Sequence, residues 1–199
     1  MSHYHHGDLR AGLLRRAIEI IAQSGVEGLS LRQLARDLEV SHAAPARHFK
    51  TKADLLAAIV ADGYGALTER LYLRLDERTQ ASPRDILAGV TQDAINWARE
   101  NPARFSVMTN PDVSRFAQAE IKASLTAFSA AIRSAIKDAR EGAAPIAVDN
   151  ETYLLFAIGS VLGVSMLLTD NLMRETIGHQ DDNTAATISK IADLIVSMR

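Results

Sequence analysis

The chain has 199 residues, 47% of them apolar and 23% charged, with 11 Gly, 5 Pro and no Cys. That composition is globular rather than disordered or collagen-like, and the lack of Cys excludes disulfides, thiolate metal sites and Cys nucleophiles. The net charge of −2 hides an asymmetry: residues 1–54 hold 8 Lys/Arg against 6 Asp/Glu and five of the six His, and residues 55–199 hold 14 against 18, so an anionic partner is expected at the N-terminal part.

Helical spacing runs along the chain, and no period-two strand pattern persists. Leu9, Leu13, Ala17 and Ile20, with Leu14, Ile18 and Ile21, give a helix from about Asp8 that ends at Ser24-Gly25. Ser30 caps a second helix, with Gln33 in capping-box position and Leu31, Leu34, Ala35 and Leu38 on one face. Ser41 opens a third, short helix. Thr51 opens a fourth that has Asp54 in its first turn and runs through Leu55, Leu56, Ile59 and Leu67 towards Leu75. After Ser82-Pro83 a helix over 84–99 stops at Asn101-Pro102, and a short one holds Phe105 and Met108. A single long helix then carries Val113, Phe116, Ile121, Leu125, Phe128, Ile132 and Ile136 to near Gly142. Asp149 or Asn150 caps an apolar helix, and the last, about 183–197, repeats Ile188, Ile191, Ile195 and Met198. The expectation is an all-α protein.

Thr152 to Thr169 is an uncharged run of 18 residues that contains Gly159 and Gly163. Acidic flanks (Asp149, Glu151, Asp170) and the Ser and Thr residues of the run (Thr152, Ser160, Ser165, Thr169) argue for a core or subunit-interface helix instead of a membrane span. The N-terminus has no apolar leader, so the expectation is a soluble, cytoplasmic protein.

Residues 30–49 carry the functional signal. Two short helices joined by a tight corner at Glu39-Val40 form a helix-turn-helix, whose second helix enters the DNA major groove. Pro45 and Phe49, four residues apart, share the inner face. His42, Ala43, Ala46 and Arg47 then point outward, with Ala44 and His48 flanking.

Val26 to Ala35, then Val40-Ser41, His48-Phe49, Lys52 and Leu55-Leu56 resemble the TetR family of bacterial transcription regulators over about residues 8–67. The resemblance implies a helix-turn-helix domain over 1–50 and a larger helical-bundle domain over 51–199 that dimerises and binds a small-molecule effector. It also implies a double-stranded DNA operator as partner. The family usually has Gly where Glu39 stands and Tyr, a DNA-backbone contact, where Ala46 stands.

Arg47 suits bidentate pairing with guanine or a phosphate contact, His42 and His48 can donate hydrogen bonds, and Ala43, Ala44 and Ala46 allow close approach or meet a thymine methyl. Lys52 resembles the family's phosphate-contacting Lys. Ser30 and Gln33, at the cap of that second helix, are placed at the same interface. In the distal part Trp97, Phe105, Phe116, Phe128 and Tyr153 are expected to line an effector site, with Asn96 and Ser165 as polar candidates. The run with Gly159 and Gly163 and the Ile188/Ile191/Ile195/Met198 seam are expected to form the homodimer contact.

No nucleophile elbow, phosphate loop, dinucleotide fingerprint or metalloprotease motif occurs. His179 stands in a polar loop without a nucleophile, and His3, His5 and His6 lie on an arm without a carboxylate set. Neither an enzyme nor a metal or cofactor site is expected. The sequence reads as a repressor released by a small molecule; the alternative is a helical small-molecule-binding protein whose helix-turn-helix has weakened.

Overall fold

The structure, a computed structural model, describes residues 9–76, 81–116, 118–141, 148–178 and 183–197. These form α-helices and one short 3₁₀ helix, with no strand among the described residues, so the all-α expectation holds. The helices are α1 (Leu9–Ser24), α2 (Leu31–Asp37), α3 (Lys52–Asp76), α4 (Pro83–Glu100), α5 (Pro102–Met108), α6 (Pro111–Phe116), α7 (Gln118–Arg140), α8 (Asn150–Thr169), α9 (Asn171–Thr176) and α10 (Thr184–Ser197). The long helix expected after Asn110-Pro111 is helical over α6 and α7, on either side of residue 117, which lies outside the described residues; α9 was not anticipated.

The chain forms two compact units, one of residues 1–64 and 102–125, the other of 65–101 and 126–199. In the first, the apolar stripe of α1 (Leu9, Leu13, Ala17, Ile20) meets Leu34 of α2, Phe49, and Leu55, Leu56 and Ile59 of α3. Ala103 and Val107 of α5 and Val113 of α6 complete that core. Arg16 ties α1 to α2 through Asp37 at 2.9 Å. At the start of α3 Thr51 and Asp54 cap each other's backbone: Thr51 Oγ1 accepts from Asp54 N–H (3.1 Å), and the Asp54 carboxylate accepts from Thr51 N–H (2.9 Å).

The second unit packs Leu71 of α3 with Ile86, Leu87 and Val90 of α4, Ala135 and Ile136 of α7, Tyr153 and Leu154 of α8 and Ile195 of α10. The Tyr153 hydroxyl donates to the Ile195 carbonyl at 2.9 Å, and burial raises its pKa, so it stays protonated as a donor. Arg74 grips Asp93 through two hydrogen bonds (2.6 and 3.1 Å), lying over Gly89, where a Cβ would stand 3.3 Å from its Nε. Asp149 caps α8. Hydrogen bonds from Thr152 and Glu151 hold its carboxyl below the ordinary value, so the cap persists through neutral pH and is lost only as pH falls below the usual carboxylate range.

The expectation for α10 needs correction. Ile188 and Ile195 are 1% and 3% exposed, packed inside their own unit with Ile95 and Leu168 and with Tyr153. That face is consumed within the protomer; Met198 lies outside the described residues. On α8 one face (Tyr153, Leu154, Ala157, Ser165, Leu168) is buried, whereas Leu155, Phe156, Ile158, Leu162, Met166 and Leu167 remain exposed. Phe156 and Met166 are thus on the outer face.

Ser165 is 1% exposed, and its hydroxyl has no hydrogen-bond partner among the described residues. A buried donor left unmade costs roughly 1–3 kcal/mol. Ser165→Ala is therefore expected to raise stability by about 1 kcal/mol, or about 2–4 °C in Tm for a chain of this size. Thermal unfolding by circular dichroism checks this; a lower Tm would mean that the hydroxyl is satisfied in solution.

Candidate nucleic-acid interface

The interface is built at the end of α2. The Ser30 hydroxyl accepts from Gln33 N–H (3.2 Å) and starts that helix. Its end is a Schellman turn: Val40 N–H bonds to the Ala35 carbonyl (3.0 Å) and Glu39 N–H to the Arg36 carbonyl (3.1 Å). The turn requires a left-handed residue after Leu38, and Glu39 takes it with φ +54°. Such a conformation costs a side-chain-bearing residue about 1–2 kcal/mol, partly offset by the greater unfolded-state freedom of glycine. Glu39→Gly is expected to stabilise the protein by about 1 kcal/mol. The check is a urea midpoint that rises at unchanged m-value; an unmoved midpoint would show that the turn tolerates Glu without strain.

The second helix of the motif differs from expectation. In place of an α-helix from Ser41, residues 42–44 form a turn that leads into a 3₁₀ helix, Pro45–Arg47. The Ser41 carbonyl accepts from Ala44 N–H (2.9 Å), an i→i+3 bond. Residue 45 would supply the α-helical donor but is proline and has no N–H. The segment nevertheless presents the anticipated faces. Pro45 and Phe49 are buried, and His42, Ala43, Ala46, Arg47 and His48 are exposed, with Ala44 half-buried.

Lys52 opens α3 and is half-buried, lining a pocket of about 250 Å³ with Val26, Glu27, Ala53, Leu56, Asn110, Asp112 and Val113. Ser30 is exposed and Gln33 half-buried. Between Val40 and Ala53 the chain carries Arg47, Lys50 and Lys52, two His and no carboxylate, so the exposed surface of this segment is electropositive and rich in donors. Two cations escaped the residue-by-residue reading: Lys50, which is exposed, and Arg10, whose guanidinium lies 5.4 Å from the centre of the Phe49 ring. For Lys50 the available signal was that carboxylate-free run, which does not extend to Arg10.

The aromatic residues expected at an effector site divide between the two units. Trp97 (3% exposed), Tyr153 (5%) and half-buried Phe128 belong to the second; Phe105, 7% exposed, belongs to the first with Phe116, whose side chain lies outside those described. Of the polar candidates, Asn96 is half-buried and Ser165 is buried. The His3, His5 and His6 arm and His179 lie outside the described residues. Helix α8 is long and apolar enough to cross a membrane by length and composition, although 28% of its most apolar stretch is buried in the fold.

Residues 13–59 match the family described as bacterial regulatory proteins, tetR family. An HTH-type transcriptional regulator of Mycobacterium bovis is 27% identical over 105 residues, 51% of this chain and 45% of its own length; two regulators of Mycobacterium tuberculosis match equally. The alignment therefore spans about half the length of the curated relatives. Among solved structures, a protein of unknown function from Rhodococcus sp. RHA1 has a TM-score of 0.76 at 27% identity, covering 98% of this chain and 97% of that one. A regulatory protein of the tetR family from Rhodococcus RHA1 has a TM-score of 0.73 at 20% identity, covering 96% and 98%. The transcriptional regulator FadR from Bacillus subtilis in complex with stearoyl-CoA has a TM-score of 0.73 at 17% identity, covering 95% and 98%. At these last two identities the likeness is one of fold.

Proposed function

We propose that this chain, which belongs to the TetR family of bacterial regulatory proteins, is a cytoplasmic, homodimeric repressor that a small molecule releases from its DNA operator. The observation that carries the reading is the exposed Arg47 and His48, held outward because Pro45 and Phe49 are buried beneath them. An α-helical or 3₁₀ segment anchored this way inserts side chains into the major groove, while Lys52 at the first turn of α3 holds a phosphate.

The outer face of α8 supplies the dimer contact. Leu155, Phe156, Ile158, Leu162, Met166 and Leu167 form one exposed apolar stripe, and a Cβ at Gly159 or Gly163 would meet, beyond the helix's own backbone, no atom of the described residues within 4 Å. A second copy of the stripe, related by a two-fold axis, covers it. The two recognition segments then address successive major grooves about 34–36 Å apart, and an effector that binds better to a conformer with another spacing shifts the population off the operator.

The effector in this reading is an apolar small molecule held in the second unit near Trp97, Phe128 and Tyr153. The neighbour solved with stearoyl-CoA makes a long acyl chain the first class to try. A gel shift on the DNA upstream of the protein's own gene, at low salt and with or without stearoyl-CoA, tests the scheme. A retarded band that the thioester abolishes is the expected result. No band in any lane would instead favour the binding-protein alternative, for which the strained Glu39 and the Ala46 that replaces a backbone-contacting Tyr are the supporting features.

A further inference from the structure

A groove of about 430 Å³ runs along the first unit between the start of α1, residues 48–50 and the first turns of α3. Exposed Arg10, His48 and Lys50 stand on its rim, and Phe49, Ala58 and Ala61 form its apolar floor. Asp54 also lines it, but its carboxylate already accepts the Thr51 N–H that caps α3. Among the described residues this groove shares no lining residue with the Lys52 pocket.

We infer that the Arg10–His48–Lys50 groove is a second phosphate-binding site for the DNA backbone, distinct from that of Lys52. The inference rests on the DNA-binding reading above and adds a contact to it. Two cations against one carboxylate leave a net charge of +1, which matches a phosphodiester monoanion better than a phosphate dianion. The apolar floor suits the deoxyribose beside that phosphate. Arg10 is held for the task by its stacking on Phe49, which fixes the guanidinium without neutralising it. Because His48 adjoins Arg47 in sequence, a phosphate in the groove would position the protein for the base contact without reading sequence itself.

The test measures binding of the full chain to a promoter duplex and to a scrambled duplex by fluorescence anisotropy between 50 and 200 mM salt. Arg10→Gln, which keeps the stem over Phe49, and Lys50→Gln are each expected to weaken both duplexes alike. Each should also lower the slope of log K against log salt by about one unit, so that affinity lost over this range is about threefold smaller than in the wild type. Should Arg10→Gln lower the melting temperature, Lys50→Gln, at an exposed position outside the core, carries the test alone. Unchanged slopes, with Lys52→Ala still lowering its own, would overturn the groove and leave the docking intact. A wild type that binds neither duplex at 50 mM salt would overturn both. Inorganic phosphate separates the remaining source: saturable micromolar binding of phosphate alone, lost in Lys50→Gln, would mark a small-anion site and overturn the assignment to DNA.

Discussion

Leu162→Glu is expected to turn a dimer at micromolar concentration into a monomer in sedimentation velocity. Leu162 stands at the middle of the exposed stripe of α8 and is 40% exposed within the protomer, so a carboxylate there is solvated in the monomer and costs the fold little. In a two-fold contact the same carboxylate would be buried twice, facing its own copy, and neither charge would have a partner. Operator affinity should fall with it by about 100-fold or more, because linking two half-site contacts multiplies affinity by roughly that factor. Far-ultraviolet circular dichroism should be unchanged. A variant that still sediments as a dimer would place the partner surface elsewhere.

The next largest effect concerns the two residues of the interface that perform different physical tasks. Arg47→Ala is expected to cost about 1–3 kcal/mol on the operator and to relax the preference at one base pair, as the loss of a bidentate base contact does. Lys52→Ala should weaken operator and scrambled DNA alike and lower the salt slope by about one unit, because a phosphate contact releases counterions whatever the sequence. Titrations of both variants on both duplexes at several salt concentrations separate the two. Equal losses on both duplexes for Arg47→Ala would make it a backbone contact, and no loss for either variant would mean that this segment does not dock on DNA.

The interface was legible in the sequence because its logic is local. Pro45 and Phe49 recur four residues apart, so burying them turns Arg47 outward whether the backbone is α-helical or 3₁₀. The 3₁₀ character depended on one missing N–H, that of Pro45, and periodicity does not register a lost donor. The capping of α3 by Thr51 and Asp54 was equally local and equally readable. Periodicity failed where it had to name a partner. Ile188, Ile191 and Ile195 announce an apolar face but not whether α4 or another chain covers it; α4 and Tyr153 do. On α8 the apolar residues encircle the helix, so no spacing argument could divide the inner face from the outer one that holds Phe156 and Met166.

The first core closes with Ala103, Val107 and Val113, which follow Val60 by more than 40 residues. During synthesis the helix-turn-helix therefore leaves the ribosome long before the residues that complete its packing. Until about residue 113 has emerged, the apolar faces of α1 and α3 lack part of their cover, and the nascent segment is the stage most exposed to proteases and chaperones. The DNA-reading motif of this chain is accordingly not a detachable module: a fragment cut at Tyr64 carries every residue of the recognition segment yet lacks the apolar wall behind it.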